Sequence, residues 1–203
     1  MKNILETLHK KRICIIENAD AQLFENIIFK LGIEVLRSDI KIAKNPEALI
    51  SSNSKIDWHQ DSTEAKWIAW FCIDPGAEKS EYTEILPLDQ IVRKFSLKQK
   101  AEFSAIKVKD RKSNGSETSR KLFDSETLYY CPWLVHETKK SAQPINELKK
   151  MIVNKESTSI QLSWSAGTIL IIDNHWCMHR RPALTANSRR HLIRSWISER
   201  KLL

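Results

Sequence analysis

The chain has 203 residues, of which 41% are hydrophobic and 29% charged, so it can bury a core and is not predominantly disordered. No apolar run approaches the roughly 20 residues of a membrane-spanning helix, and the first residues lack the apolar segment of a secretory signal. We therefore treat residues 1–203 as a single domain and expect a cytoplasmic protein that spans no membrane.

The net charge of +8 and the isoelectric point of about 9.3 favour acidic partners, such as nucleic acid, an acidic carrier protein or an anionic small molecule. The densest positive cluster, Lys107–Lys112, precedes a Ser-Asn-Gly-Ser stretch and is expected to be an exposed loop. The chain has no RRM, helix-turn-helix or zinc-finger pattern, which argues against nucleic acid. Its four cysteines are widely separated, and we expect buried free thiols.

The first elements in the chain are predicted to be a strand and a helix. Arg12–Glu17 has the apolar, β-branched composition of a short buried strand. Asn18 or Asp20 can cap the helix that follows, because their side-chain oxygens accept from free first-turn N–H groups. Apolar residues then recur at helical spacing, and Gly32 suits the end of this helix.

The middle of the chain alternates between loops and short elements. Residues 40–57 contain Asn, Pro and a Ser-Ser-Asn-Ser stretch and are predicted to be a loop. Lys66–Asp74 is predicted to be a strand that ends at Pro75-Gly76, and Asp89–Phe103 to be one or two short helices. A further helix is predicted at 145–153, and further strands at 105–109, 128–133, 157–164, 168–173 and 190–198. Many short strands separated by turns favour a barrel or a sandwich.

The stretch "WHQD" places His59 and Asp61 directly before the strand at 66–74. Two readings are open from this pattern alone: polar residues solvated at the end of a strand, or two ligands of one metal. The stretch "GTILIIDNHWCMHRRP" adds His175 and His179 in a predicted loop after another buried strand. Two histidines and one carboxylate form the facial triad of non-haem Fe(II) oxygenases, so one of these histidines could complete the set.

Positive residues continue this pattern towards the C-terminus. In "NSRRHLIRSWI", Arg190 and Arg194 alternate with apolar residues and fall on one face of the predicted strand at 190–198. Positive side chains in an otherwise buried strand need anionic partners. A dicarboxylate would supply one, because arginine binds a carboxylate through two hydrogen bonds.

With these residues the chain resembles the taurine dioxygenase and clavaminate synthase group of Fe(II)/2-oxoglutarate-dependent oxygenases. The resemblance is carried by "WHQD", "PGAEKSEYTEIL", "GTILIIDN" followed by a histidine, and "RRHLIR". Members of the group have His-x-Asp, a later threonine, Asp-Asn-x4-His and then Arg-x3-Arg. Here His179 lies six residues after Asp173, Arg190 lies eleven after His179, and Arg194 four further on. By this spacing His179, and not His175, is the ligand.

The resemblance implies a double-stranded β-helix, or jelly roll, that is mainly β with flanking helices. It implies that His59, Asp61 and His179 bind Fe(II), and that Arg190 and the Thr83 hydroxyl hold the distal carboxylate of the cosubstrate 2-oxoglutarate. Arg194 would lie near an anionic group of the substrate. Since the related halogenases lack the carboxylate ligand, Asp61 argues against halogenation.

The implied reaction uses O2 to oxidise, most simply to hydroxylate, an unactivated C–H bond of a small anionic substrate such as an amino acid, with release of succinate and CO2. Desaturation is another outcome of the same chemistry. An alternative substrate is an amino acid or acyl group tethered to an acidic carrier protein. A nucleic-acid demethylase is disfavoured by the Arg-x3-Arg spacing, and a non-catalytic binding module on the same fold is disfavoured by the intact triad.

Overall fold

The computed structural model describes residues 2–46, 48–76 and 81–200, so 77–80 of the stretch "PGAEKSEYTEIL" lie outside the described residues. Within these ranges the helices are α1 (Lys2–Lys11), α2 (Ala21–Leu31), α3 (Asp89–Val92), α4 (Leu97–Ala105) and α5 (Ala142–Val153). The strands are β1 (Ile13–Ile16), β2 (Ile33–Lys41), β3 (Ile56–His59), β4 (Trp67–Asp74), β5 (Tyr82–Pro87), β6 (Lys107–Arg111), β7 (Glu117–Lys121), β8 (Phe123–Asp124), β9 (Thr127–Leu128), β10 (Ile160–Ser163), β11 (Ile169–Asp173), β12 (Cys177–Arg181) and β13 (His191–Ser198).

Two antiparallel sheets form the body of the protein. The first has the strand order β1-β11-β4-β13-β2 and the second the order β10-β5-β12-β3, so neighbouring strands come from distant parts of the chain. Apolar residues of both sheets pack in one cluster between them, with Trp70 and Leu170 from the first sheet and Ile85 and Leu162 from the second. This is the expected jelly roll, and the predicted fold class is confirmed.

Helices cover the outer faces of both sheets. Helices α1 and α2 pack on the first sheet through a cluster that contains Phe24 and Trp67, while α4 and α5 pack on the second around Phe103 and Leu148. Because successive side chains of a strand point to opposite faces, β4 serves two cores: Trp67 faces the helices and Trp70 faces the interior. The strand is therefore apolar up to Ile73, as expected for a central strand that is buried on both faces.

Several element predictions are confirmed. Helix α2 begins after Asp20, whose carboxylate accepts from the N–H of Leu23 at 2.7 Å, so Asp20 rather than Asn18 is the cap. The segment Asp89–Phe103, predicted to form one or two short helices, contains two, α3 and α4. The four cysteines Cys14, Cys72, Cys131 and Cys177 are all buried and free.

Other element predictions are wrong. Residues 40–57 are not all loop, because β2 extends to Lys41 and β3 begins at Ile56. The predicted strand at 128–133 ends at Leu128, since Pro132 starts a 3-10 turn. The cluster Lys107–Lys112 is not a loop, because Lys107–Arg111 form β6 of a β-hairpin, where the side chain of Asp110 is buried. Helix α1 and strands β2 and β5 were not predicted.

Among the described residues, no helix combines the length and apolar character that a membrane span requires.

Gly32 lies where α2 ends and β2 begins, close against the first sheet. A Cβ at this position would lie 2.0 Å from the backbone oxygen of Ser198, which a side-chain rotation cannot relieve. We expect Gly32→Ala to lower the free energy of unfolding by about 3 kcal/mol or more, measured by urea denaturation. Gly115→Ala is the matched control: φ is +82° there but nothing lies within 4 Å, so the expected loss is about 1 kcal/mol. Equal losses would contradict the close approach at Gly32.

Candidate active site

Two neighbouring strands of the second sheet bring the predicted histidines together. His59 is the last residue of β3, and His179 lies in β12, directly opposite it in the antiparallel pair. His179 is therefore in a strand and not in the loop that the sequence predicted. Both side chains point into the interior between the sheets, since His179 lies beside Ile85 of β5, a residue of the interior cluster. The ring centroids of the two histidines are 4.2 Å apart.

Asp61 completes the group from the turn that follows β3. Its carboxylate oxygens lie 4.0 Å from Nε2 of His59 and 3.8 Å from Nε2 of His179. The three residues can each offer one ligand atom with all three atoms within 4.8 Å of one another. All three side chains are at least nine-tenths buried. The structure therefore brings together the three residues predicted as ligands, at one point in the interior.

The donor chemistry of this group fits a divalent transition metal. Burial lowers the pKa of His59 below its ordinary value, and burial together with the neighbouring His59 lowers the pKa of His179 well below it, so both imidazoles are neutral at pH 7. Burial acts to raise the pKa of Asp61, but the groups around the carboxyl, chiefly the positive charge of Arg194, outweigh it and keep the carboxyl ionised. Two neutral imidazoles and one carboxylate are the ligands that a non-haem iron centre uses.

Hydrogen bonds orient both ends of the ligand set. Nδ1 of His59 is 2.7 Å from the backbone oxygen of Asp57, which leaves Nε2 facing Asp61. The Asp61 carboxylate accepts from Nη1 of Arg194 at 3.1 and 3.3 Å and from Nε1 of Trp196 at 3.0 Å. Partners of this kind fix the orientation of a ligand before a metal binds. Arg194 therefore contacts the predicted metal ligand Asp61 directly.

His175 points away from this group. Its Nε2 is 3.2 Å from the carbonyl oxygen of Thr63, and its backbone N–H donates to Asp173 at 3.1 Å. Of the two histidines that compete in the sequence, the structure places only His179 beside His59 and Asp61.

A clamp around Asn174 holds the turn that carries Asp61. The Asn174 amide nitrogen donates to the carbonyls of Asp61, Ser62 and Ala65 at 3.0–3.2 Å, and its amide oxygen accepts from the Asp61 N–H at 3.0 Å. Gln60 donates to the carbonyl of Asn174 at 2.8 Å. Both residues appeared in the sequence only as members of motifs, and their role depends on contacts between segments more than 100 residues apart.

Thr83 of β5 and Arg190, which precedes β13, meet beside the histidines. Nη2 of Arg190 donates to the Thr83 hydroxyl at 2.9 Å, and Nε1 of Trp164 donates to the same oxygen at 3.1 Å. Arg190 is 5% exposed, and burial lowers its pKa to about 10, so it stays protonated at neutral pH. Its Nε and Nη1 are buried and have no hydrogen-bond partner among the described residues.

These groups line one cavity of about 310 Å³. Its apolar walls include Ile40, Ile50, Trp70 and Trp133, and its arginines include Arg111, Arg181, Arg190 and Arg194. Among the residues that sequence reasoning did not assign to the site are Trp133, Arg111 and Arg181. Trp133 is 51% exposed and packs on the ring of His59 at 4.9 Å, Arg111 lies at the rim, and Arg181 is buried. Only the run "HRRP" beside His179 signalled Arg181.

An antiparallel jelly roll with two histidines and one carboxylate inside is typical of the class of non-haem metal-dependent oxygenases. Residues 114–196 match the family model described as "Taurine catabolism dioxygenase TauD, TfdA family". The matched segment includes His179, Arg190 and Arg194, while His59 and Asp61 precede it. No curated protein sequence matches the chain. The family match and the fold together confirm the resemblance that the sequence motifs predicted.

Solved structures share the fold over nearly the whole chain. An asparagine oxygenase in complex with Fe(II), a hydroxyasparagine and succinate superposes with a TM-score of 0.77 at 12% identity, covering 97% of this chain and 78% of the other. The non-haem iron oxygenase OrfP, with Fe and alpha-ketoglutaric acid, gives 0.75 at 14% identity over 97% and 78%. A taurine dioxygenase from Burkholderia xenovorans gives 0.72 at 16% identity over 98% and 81%.

Removing the Asn174 amide should loosen the site. Asn174→Ala would leave three buried carbonyls and the Asp61 N–H without this partner, so we expect a loss of about 2–4 kcal/mol in urea denaturation. Affinity for Mn(II), measured by titration calorimetry, should fall about ten- to hundredfold, as for other residues that orient metal ligands. The control is Asn114→Ala in the exposed hairpin turn, which should change neither quantity. Unchanged Mn(II) affinity in the Asn174 variant would refute the positioning role.

Proposed function

We propose that this protein is a non-haem Fe(II)- and 2-oxoglutarate-dependent oxygenase that hydroxylates an unactivated C–H bond of a small anionic substrate such as an amino acid. The observation that carries the proposal is the convergence of His59, Asp61 and His179 in a cavity that Thr83 and Arg190 also line. The bound metal supplies the activation of O2, coupled to decarboxylation of 2-oxoglutarate to succinate and CO2. The buried free thiols support a cytoplasmic location, in a reducing environment.

The Thr83 and Arg190 pair has the hydrogen-bonding capacity that the distal carboxylate of 2-oxoglutarate requires. The Thr83 oxygen already accepts from Arg190 and from Trp164, so its own proton is free to be donated. Two further nitrogens of Arg190, Nε and Nη1, are buried and have no partner among the described residues. Burying such donors is costly unless an acceptor is supplied, and a carboxylate accepts several hydrogen bonds. These residues orient the cosubstrate towards His59, Asp61 and His179.

The walls of the cavity serve to exclude water and to hold the substrate. Trp70 packs edge-on against His179 at 5.1 Å and Trp133 covers His59, so apolar rings shield the histidines. Arg194 uses Nη1 for Asp61, while its Nε has no partner among the described residues and offers a donor for an anionic group. An amino acid carries such a group in its carboxylate. The asparagine oxygenase and OrfP, which have been solved in complex with hydroxylated amino acids, support this substrate class.

A second candidate is an oxygenase that acts on an amino acid or acyl group tethered to an acidic carrier protein. The exposed side chains of Lys109 and Arg111 on β6 favour it, because Arg111 lies at the rim of the cavity. Succinate formation with free amino acids would support the first candidate. Succinate formation only with carrier-loaded substrates would support the second.

The ligand assignment can be tested without knowing the substrate. Anaerobic addition of Fe(II) and 2-oxoglutarate to the native protein should produce a weak visible charge-transfer band, as the family resemblance implies, and a chelator should remove it. His179→Ala should abolish the band, because it removes one of three ligands. His175→Ala is the matched control and should keep it, since that ring faces Thr63. Loss of the band in the control alone would reverse the assignment.

Arg194 is expected to act on the substrate more than on the cosubstrate. With saturating Fe(II) and a substrate identified by succinate formation across a panel of amino acids and carboxylates, Arg194→Ala should raise the KM for that substrate about tenfold or more. The KM for 2-oxoglutarate should change much less. Arg194→Lys keeps the charge and should recover part of the loss. Equal changes in both KM values would contradict the substrate role.

A further inference from the structure

Arg181 is a buried arginine in the cavity to which the proposed function gives no task. It lies two residues after His179 on β12, so the two side chains share the inner face of the second sheet. His179 pairs with Ile85 of β5, and Thr83 lies two residues before Ile85 on the same face. Arg181 therefore projects beside Thr83, at the end of the cavity where Arg190 lies.

The hydrogen bonds of Arg181 account for only part of its guanidinium. Nη2 donates to the backbone oxygens of Ser52 and Ser54 at 2.8 and 2.7 Å. Arg181 is only 7% exposed, so water does not reach its Nε and Nη1, and neither nitrogen has a hydrogen-bond partner among the described residues. These two nitrogens have the same deficit as Nε and Nη1 of Arg190. Two adjacent arginines thus present unsatisfied donors within one cavity.

The charge at this end of the cavity is unbalanced. Burial lowers the pKa of Arg181 to about 10, so at neutral pH both arginines remain positive. Neither forms an ion pair within 4.0 Å with a described carboxylate. The buried Glu81 is the acidic residue whose charge acts on both; its Oε2 accepts from Ser188 at 2.6 Å, and its Oε1 has no partner within the part of the chain that the structure describes. Two positive charges and one negative leave a net charge of +1, which one further carboxylate would neutralise.

We propose that Arg181 is a second cosubstrate-binding arginine, which with Arg190 and Thr83 encloses the distal carboxylate of 2-oxoglutarate. The inference rests on the proposed function, because it assigns a residue to the cosubstrate of that reaction. Nη2 of Arg181 holds the side chain against the 52–54 segment, and Nε and Nη1 face the carboxylate. The distal end of the cavity thereby selects a 2-oxo acid with a terminal carboxylate over one with a terminal methyl group.

A purely structural role for Arg181 makes a different prediction. If the side chain only holds the 52–54 segment, its loss should disturb the whole cavity and weaken every 2-oxo acid alike. If it binds the distal carboxylate, its loss should weaken only ligands that carry this group. The comparison of 2-oxoglutarate with 2-oxopentanoate separates the two roles, because these acids differ only in the terminal carboxylate.

The experiment measures the binding of both acids to the Mn(II)-loaded protein by titration calorimetry, without turnover. Arg181→Met should weaken 2-oxoglutarate about ten- to hundredfold, as expected for lost charge-assisted hydrogen bonds, and change 2-oxopentanoate by less than about twofold. Arg181→Gln keeps a donor for the Ser52 and Ser54 carbonyls and serves if the Met variant does not fold. Arg111→Met removes the same charge from the exposed rim and should leave the preference for 2-oxoglutarate unchanged.

Equal weakening of both acids, or unchanged 2-oxoglutarate binding in a folded Arg181 variant, would overturn the inference and leave the proposed function standing. A loss of preference in the Arg111 control as large as that in the Arg181 variants would also overturn it, because a general field effect would then suffice. Native Mn(II)-loaded protein that fails to bind 2-oxoglutarate would overturn the proposed function and this inference together.

Discussion

The geometry of the site depends on the hydrogen bonds of the Asn174 side chain. The chain passes from the second sheet to the first between β3 and β4, and returns from the first to the second between β11 and β12. Asn174 lies in the second of these crossings and binds four backbone groups of the first. Strand pairing places His59 opposite His179, whereas Asp61 lies in the first crossing. The Asn174 amide thus holds Asp61 against two histidines that are distant in sequence.

Near Asn174, single buried carboxylates are each shared between two donor side chains. Asp61 is shared between Arg194 and Trp196, and the buried Asp173 pairs with both Arg12 and Lys66 below the same turn. Pairing of this kind makes burial of charge tolerable. Arg181 and Arg190 lack such carboxylate partners. Their unpaired N–H donors lie in the cavity, where an anionic ligand can accept from them. Part of the positive net charge of the chain is therefore concentrated in the cavity, where it favours an anionic ligand.

The sequence indicated the residues that meet in the cavity better than the elements around them. Comparison with the motifs of the resembled family selected His59, Asp61, His179, Arg190 and Arg194. This was possible because the two turns and strand β13 are local structures with fixed residue counts. Strand β2 was missed since it lies at the edge of its sheet and is largely exposed, which leaves little apolar alternation. Strand β5 was missed because Glu84, which reads as a surface residue, is buried against Arg180. Such pairings arise only when distant segments fold together.

Strand β3 is the edge of the second sheet and has only four residues. Its pairing with β12 is irregular, so the backbone alone holds this edge weakly. A metal ion bound by His59 and His179 would join the two strands through side chains, at the position where the ladder is poorest. Since a ligand that binds only the folded state stabilises it by mass action, folding and metal supply become linked at this edge. Hydrogen exchange of the β3 amides would then report occupancy of the site.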